Sequence, residues 1–178
     1  MMQQVVSDKT VDNKLTGNQY VQKYLTFLLN NKTFAVSILK VKEILEYGLV
    51  TPIPKMPDFV SGAINLRGKV VPVVDLRQCL EQQGSDINKR SCIVIIEIAH
   101  QGLSANIGII VDAVSKVMDF QPADIECAPS LGGSVNTDFI EGMGKLDDQF
   151  VIMLNMDKIM SMEEIGKLTD MTDALRPD

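Results

Sequence analysis

The chain has 178 residues, 46% of them apolar and 22% charged, which is the size and composition of one ordinary globular domain or two small ones. At this length an apolar core suffices without a metal or disulfide staple. A net charge of −6 argues against direct binding to nucleic acid or to a membrane surface, both of which need a basic face. The apolar runs, such as Ile107 to Val111, fall far short of the roughly 20 residues of a membrane-spanning helix.

Residues 1–19 are polar and aperiodic and read as a flexible N-terminal tail. They hold no apolar core flanked by basic residues, so no signal peptide and a cytoplasmic protein are expected. Tyr24 to Leu29 begins a strand, Asn30-Asn31-Lys32 is a turn signal, and Thr33 to Ile38 alternates. Phe34, Val36 and Ile38 fall on one face, and Thr33, Ala35 and Ser37 on the other, which predicts a hairpin with one buried face. Val41, Ile44 and Leu45 continue the apolar pattern into a third strand or a short helical turn, and Pro52, Pro54 and Pro57 forbid a regular helix after it. Asp58 to Leu80 reads as strand, tight turn at Arg67-Gly68-Lys69, and strand. Pro72 inside the second of these predicts an edge strand or a bulge.

Glu81 to Arg90 is a polar linker. Cys92 to Ile98 and Ile107 to Val111 are strands, with a turn near Gly102. His100, the only histidine, sits in that turn, Ala99-His100-Gln101-Gly102, and is expected to face solvent. One histidine supplies no recognisable zinc set, and no G-x-S-x-G elbow accompanies it. Cys79, Cys92 and Cys127 form no C-x-x-C pair, and their apolar neighbours suggest packed thiols in a reducing compartment. Residues 128–137 form a Gly/Ser-rich surface loop, Phe150 to Met156 a last strand, and Ser161-Met162-Glu163-Glu164 a capping box opening a short helix over about 162–173.

The chain also repeats itself. Displaced by 80, Asp58, Phe59, Gly62, Leu66 and Val71 fall on Asp138, Phe139, Gly142, Leu146 and Val151 without a gap. Displaced by 73, Phe34, Val36, Ile38, Val41 and Ile44 fall on Ile107, Ile109, Val111, Val114 and Val117. Each copy therefore holds a hairpin, a third strand, a loop and a strand–turn–strand. Two copies of about five short strands predict an all-β protein of two small barrels with a groove between them. Positions shared by the copies concern the fold; Gly62 and Gly142 suit a turn or a close backbone approach. Positions that differ are freer to serve function. The sharpest difference is the strand-connecting turn, Asn65-Leu66-Arg67-Gly68-Lys69 against Lys145-Leu146-Asp147-Asp148-Gln149, which singles out Arg67, a planar fork of donors.

Other signals carry little chemistry. Gly142-Met143-Gly144-Lys145 lacks the spacing of a phosphate loop. Asp147-Asp148 and Glu163-Glu164 are sequence neighbours and point apart. Most of the ten methionines fit packing, as at Met153 and Met156.

Phe34 to Ile44, Pro57 to Gly62, Asn65-Leu66-Arg67-Gly68 with Val71-Pro72-Val73-Val74-Asp75-Leu76-Arg77, and Gly108 to Val114 together resemble the CheW family of chemotaxis coupling proteins. The resemblance runs from about Tyr24 to Met160, and the same string occurs in the matching domain of CheA kinases and in CheV. It implies two SH3-like five-stranded barrels within residues 20–160, one about 24–80 and the other about 92–160 with strands open to exchange, followed by a helix and tail at 161–178. It implies an adaptor without catalysis, cofactor or metal. Its partners would be the regulatory domain of a CheA-type histidine kinase and the cytoplasmic tip of chemoreceptors, with the membrane reached only through receptors. Carried over by position, the partner-binding residues are Val41, Glu43, Gly62, Asn65, Leu66, Arg67, Gly68, Gly108 and Val114. The same adaptor role in a non-flagellar pathway fits equally. A small ligand-binding barrel would need titratable groups converging on a pocket, and the sequence shows none.

Overall fold

The computed structural model describes residues 20–80, 87–100, 102–128, 138–159, 164 and 170. The tail at 1–19, the Gly/Ser-rich loop from 129 to 137, the linker from 81 to 86 and, apart from Glu164 and Asp170, the C-terminal helix expected over about 162–173 lie outside these residues.

In chain order the strands are β1 (Gln22–Leu29), β2 (Lys32–Ser37), β3 (Val41–Glu46), β4 (Val60–Leu66) and β5 (Lys69–Asp75), followed by the one-turn helix α1 (Leu76–Cys79). Then come β6 (Cys92–His100), β7 (Leu103–Val111), β8 (Ala113–Phe120), β9 (Ile125–Glu126), β10 (Ile140–Leu146) and β11 (Gln149–Leu154), followed by α2 (Met156–Ile159). The turns follow from backbone chemistry. Asn30 and Asn31 both hold positive φ, 50° and 66°, as do Arg67 and Gly68, 52° and 84°. Two such residues in succession make the two-residue turn whose twist matches that of the flanking strands. Of the two forms expected for Val41 to Leu45 the chain takes the strand, and Ile38–Lys40 before it makes a single 3-10 turn.

Among the described residues the strands form two sheets, of order β3-β6-β7-β5-β4 and β9-β10-β11-β2-β1-β8. Neither is drawn from one stretch of chain. The β1–β2 hairpin lies in the sheet of the second strand–turn–strand, and the β6–β7 hairpin in the sheet of the first. The internal repeat is preserved down to register. Val73 faces Gly108 across the parallel pair of one sheet, and Met153 faces Ala35 across that of the other. Bulges at Ser61 and Lys42 recur at Glu141 and Ser115. The Asp75 amide donates to the Phe59 carbonyl and the Asn155 amide to that of Phe139, both at 2.7 Å. Asp75 and Asn155 then cap α1 and α2 in the same way, accepting from the amides two residues on. The sixth strand is a matter of extent. In the larger sheet the chain returns to β10 as the two-residue β9, whereas in the smaller one it returns to β4 as the single bridge Thr51–Ala63.

The apolar residues sort into three clusters. Each sheet encloses a small interior: Val71, Val73, Ile93, Ile95 and Ile110 in the five-stranded sheet, and Tyr24, Ala35, Phe120, Val151 and Met153 in the six-stranded one. The largest cluster lies between them and takes Phe27, Leu29, Phe34 and Val36 from one sheet and Val94, Ile96, Ile107 and Ile109 from the other. Two expectations are corrected here. The first hairpin has no solvated face at Ala35, which is fully buried, because β2 runs between two cores. Pro72 is not at an edge, since β5 has β4 on one side and β7 on the other. It is tolerated because Ala63, its partner on β4, turns its amide and carbonyl to Thr51, and the parallel pairing with β7 begins only at Val73.

Because the central cluster belongs to both sheets, they should unfold together. Ile109→Ala is expected to cost about 2–5 kcal/mol while leaving one cooperative transition in urea, followed by circular dichroism and by tyrosine fluorescence. Two separated transitions would show that the sheets are independent.

Candidate functional site

The first strand–turn–strand places Arg67 at its tip. Asn65 Oδ1 accepts the Gly68 amide at 2.8 Å, closing the turn across its ends. Leu66 is half-buried against the interior cluster of the five-stranded sheet and roots the tip. The Arg67 side chain, 71% exposed, reaches over to Glu43, with Nη2 2.8 Å from Oε1. Glu43 stands just past the Lys42 bulge of β3, and β3 and β4 are the two ends of the strand order. The ion pair therefore joins the ends of the sheet. Beside it Lys42 pairs with Glu97 at 3.2 Å.

The sequence-derived residues divide by position. Glu43, Asn65, Leu66, Arg67 and Gly68 come together at this tip. Gly62 lies beneath it and is buried. A Cβ there would stand 2.1 Å from the Thr51 carbonyl oxygen, with φ at +149°, so only glycine lets the returning chain reach β4. Gly142 has the same role, against Ile125 and the Glu126 carbonyl. Gly108 is buried on β7, where a Cβ would stand 2.7 Å from Ile93 Cγ2, and it offers no surface. Val41 and Val114 are half-buried and pack against the central cluster from opposite sheets, at equivalent places in the two copies.

Sequence reasoning missed two exposed apolar side chains in the segment that carries Glu43. Leu39, in the 3-10 turn, is almost fully exposed, and Ile44 is more than a third exposed. The signal was present in β3: Ile44 shares a face with Lys42 and Glu46, which places it outward, opposite Glu43 and Leu45. The equivalent Val117 on β8 is exposed as well.

Among the described residues no cluster of His, Cys, Asp and Glu could hold a metal ion, and no helix is long and apolar enough to cross a membrane. Two perturbed groups are structural. The buried Tyr24 hydroxyl donates to Glu141 Oε1 at 2.6 Å, and burial together with that bond raises its pKa. Burial, helped by Glu164 and Asp75, pushes the Cys79 thiol up to about 12. Cys79 and Cys92 are partly buried, but Cys127 is exposed, which corrects the expectation of a packed thiol there.

Two barrels sharing a core, with an exposed charged tip and apolar interiors, define a scaffold-type interaction module. Comparison with known proteins specifies it further. A family model described as "CheW-like domain" matches residues 23–164. The chemotaxis protein CheW of Klebsiella aerogenes is 35% identical over 86% of this chain and 90% of its own. Protein FrzA of Myxococcus xanthus is 27% identical over 78% of this chain and 85% of its own. The crystal structure of the scaffolding protein TtCheW from Thermoanaerobacter tengcongensis superposes with a TM-score of 0.71 at 32% identity, covering 82% of this chain and 96% of that one. The chain belongs to the CheW-like domain family, and its role is that of a chemotaxis coupling scaffold.

Two predictions follow from the tip and the thiols. Gly62→Ala should lower stability by more than about 2 kcal/mol, whereas Arg67→Ala should stay within about 1 kcal/mol of wild type, because its ion pair is largely solvated; equal losses in a thermal melt would contradict this division. At pH 8 a maleimide should label Cys127 at least about a hundredfold faster than Cys79, whose thiolate is scarce below its raised pKa; the ratio is read by mass spectrometry.

Proposed function

We propose that this protein is a non-catalytic adaptor that joins the regulatory domain of a CheA-type histidine kinase to the cytoplasmic tip of chemoreceptors. It would be recruited from the cytoplasm to receptor arrays and touch the membrane only through them. The observation that carries this reading is the Arg67–Glu43 pair. It is an exposed guanidinium held in one orientation by a half-buried carboxylate, at the one turn where the two copies of the repeat differ most in charge. Held in this way, the fork keeps donors free for carboxylates or backbone carbonyls of a partner. Asn65, Leu66 and Gly68 shape the turn, and Gly62 fixes its base. Val41, Gly108 and Val114 act through packing, by setting the position of β3, β7 and β8. Leu39 and Ile44, in the same segment as Glu43, add exposed apolar area suited to the apolar face of a partner helix.

The similarity to FrzA supports a second reading, the same adaptor role in a non-flagellar chemosensory pathway. The genes neighbouring this one distinguish the two.

Co-sedimentation with receptor-bearing membranes and the kinase regulatory domain tests the proposal. Wild type should pellet with both partners. Arg67→Ala should lose about tenfold in affinity for at least one of them, the equivalent of about 1.4 kcal/mol, while Asp147→Ala at the equivalent turn should bind as wild type. Undiminished binding by Arg67→Ala removes the tip from the interface, and wild type that pellets with neither partner removes the adaptor role.

A further inference from the structure

Among the described residues the chain passes from one sheet to the other at two places, and a charged cluster holds each. At the first, β7 of the five-stranded sheet gives way to β8 of the six-stranded sheet at Asp112. Arg77 of α1 donates from Nη1 to Asp112 Oδ1 at 3.2 Å, and is itself held by Asp75 through Nε at 2.9 Å and Nη2 at 3.0 Å. Asp112 also grips the β1–β2 hairpin: its Oδ2 accepts the Asn30 amide at 2.7 Å, and its own amide donates to the Leu28 carbonyl at 3.0 Å. At the second crossing, β2 of the six-stranded sheet gives way to β3 of the five-stranded sheet through Ile38–Lys40. Lys40 Nζ donates to Asp157 Oδ2 at 2.8 Å, and Asp157 Oδ1 accepts the Ala99 amide of β6 at 2.8 Å. Asp157 falls on Arg77 under the displacement by 80, and Lys40 falls one residue past Asp112 under that by 73, so the two clusters occupy closely similar places with opposite polarity. In one the helix brings the cation, and in the other the anion.

They differ in burial. The Arg77 and Asp112 side chains are 4% and 18% exposed, those of Lys40 and Asp157 32% and 28%. A buried, multiply bonded guanidinium network is costly to break and little affected by salt. A single lysine–carboxylate bond in partial contact with water is weak and screened. We propose that the two sheets are hinged at Arg77–Asp112 and released at Lys40–Asp157, so that local opening of the molecule begins at the second crossing. The freed segment would be Ile38–Lys40, which carries the exposed Leu39 and leads directly into the strand bearing Glu43. The inference stands on this geometry and does not depend on which partners bind.

Residue-resolved amide exchange on the full chain tests it, because each cluster has its own reporter: Ala99 for the release and Asn30 for the hinge. Lys40→Met removes the cation and leaves Asp157 to accept from Ala99. Asp157→Asn removes the anion and retains an oxygen for the same amide. Each is expected to speed Ala99 exchange about two- to fivefold with Asn30 unchanged. The double variant should do no more than either single one, since all three lose the same interaction. In wild type, raising salt from about 0.01 M to about 1 M, which cuts the screening length from about 30 Å to about 3 Å, should raise the Ala99-to-Asn30 rate ratio in the same sense. Ala99 exchange unchanged in both single variants would overturn the release, and equal acceleration of Ala99 and Asn30 would overturn the hinge.

Discussion

The rest of the structure depends on the apolar layer between the two sheets. Neither sheet has a self-sufficient core: among the described residues, the five buried inside each are too few to offset the ordering of its strands. The fifteen buried residues of the central cluster, drawn from both sheets, supply what is missing. This constraint explains why the chain crosses between sheets twice. A hairpin from each half is placed against the strand–turn–strand of the other, which makes the shared layer continuous and ties its two faces together covalently.

Duplication then sets what can vary. Bulges, helix caps, the parallel pairs and the close approach at Gly62 and Gly142 recur in both copies because each closes a sheet. Charge recurs at Asp58 and Asp138 but is otherwise mostly rearranged. The strand-connecting turn is basic in one copy and acidic in the other, Glu43 has Lys116 as its counterpart, and the clusters at the crossings are inverted. A framework that is nearly symmetric in backbone and asymmetric in charge presents two different faces to its surroundings, which is what a coupling scaffold requires of a small protein.

Much of this is legible in the residues. Alternation located the strands, paired Asn-Asn and Arg-Gly located the turns, and the displacements by 80 and 73 located the copies. Comparison of the copies pointed to Arg67 before any geometry. The reading failed where one residue serves two environments. Ala35 reads as the polar face of a hairpin because alternation assumes one buried side, and β2 has two. Pro72 reads as a sign of an edge strand or a bulge because its missing donor is harmless here only through the direction taken by Ala63, on another strand. Cys127 was judged from its neighbours in sequence, which say nothing of exposure.

By itself the sequence determined the all-β class, the order of the strands, the duplication and the residue that distinguishes the copies, since these rest on local periodicity and on comparison along one chain. Only the tertiary structure decided which strands became neighbours. Alternation tells which way a side chain faces but not what it meets. That Glu43 waits across the sheet for Arg67, that Asp112 and Asp157 hold the crossings, and that the hairpins are exchanged all depend on pairings between residues 24 to 117 positions apart in the chain, made only once the central layer has closed.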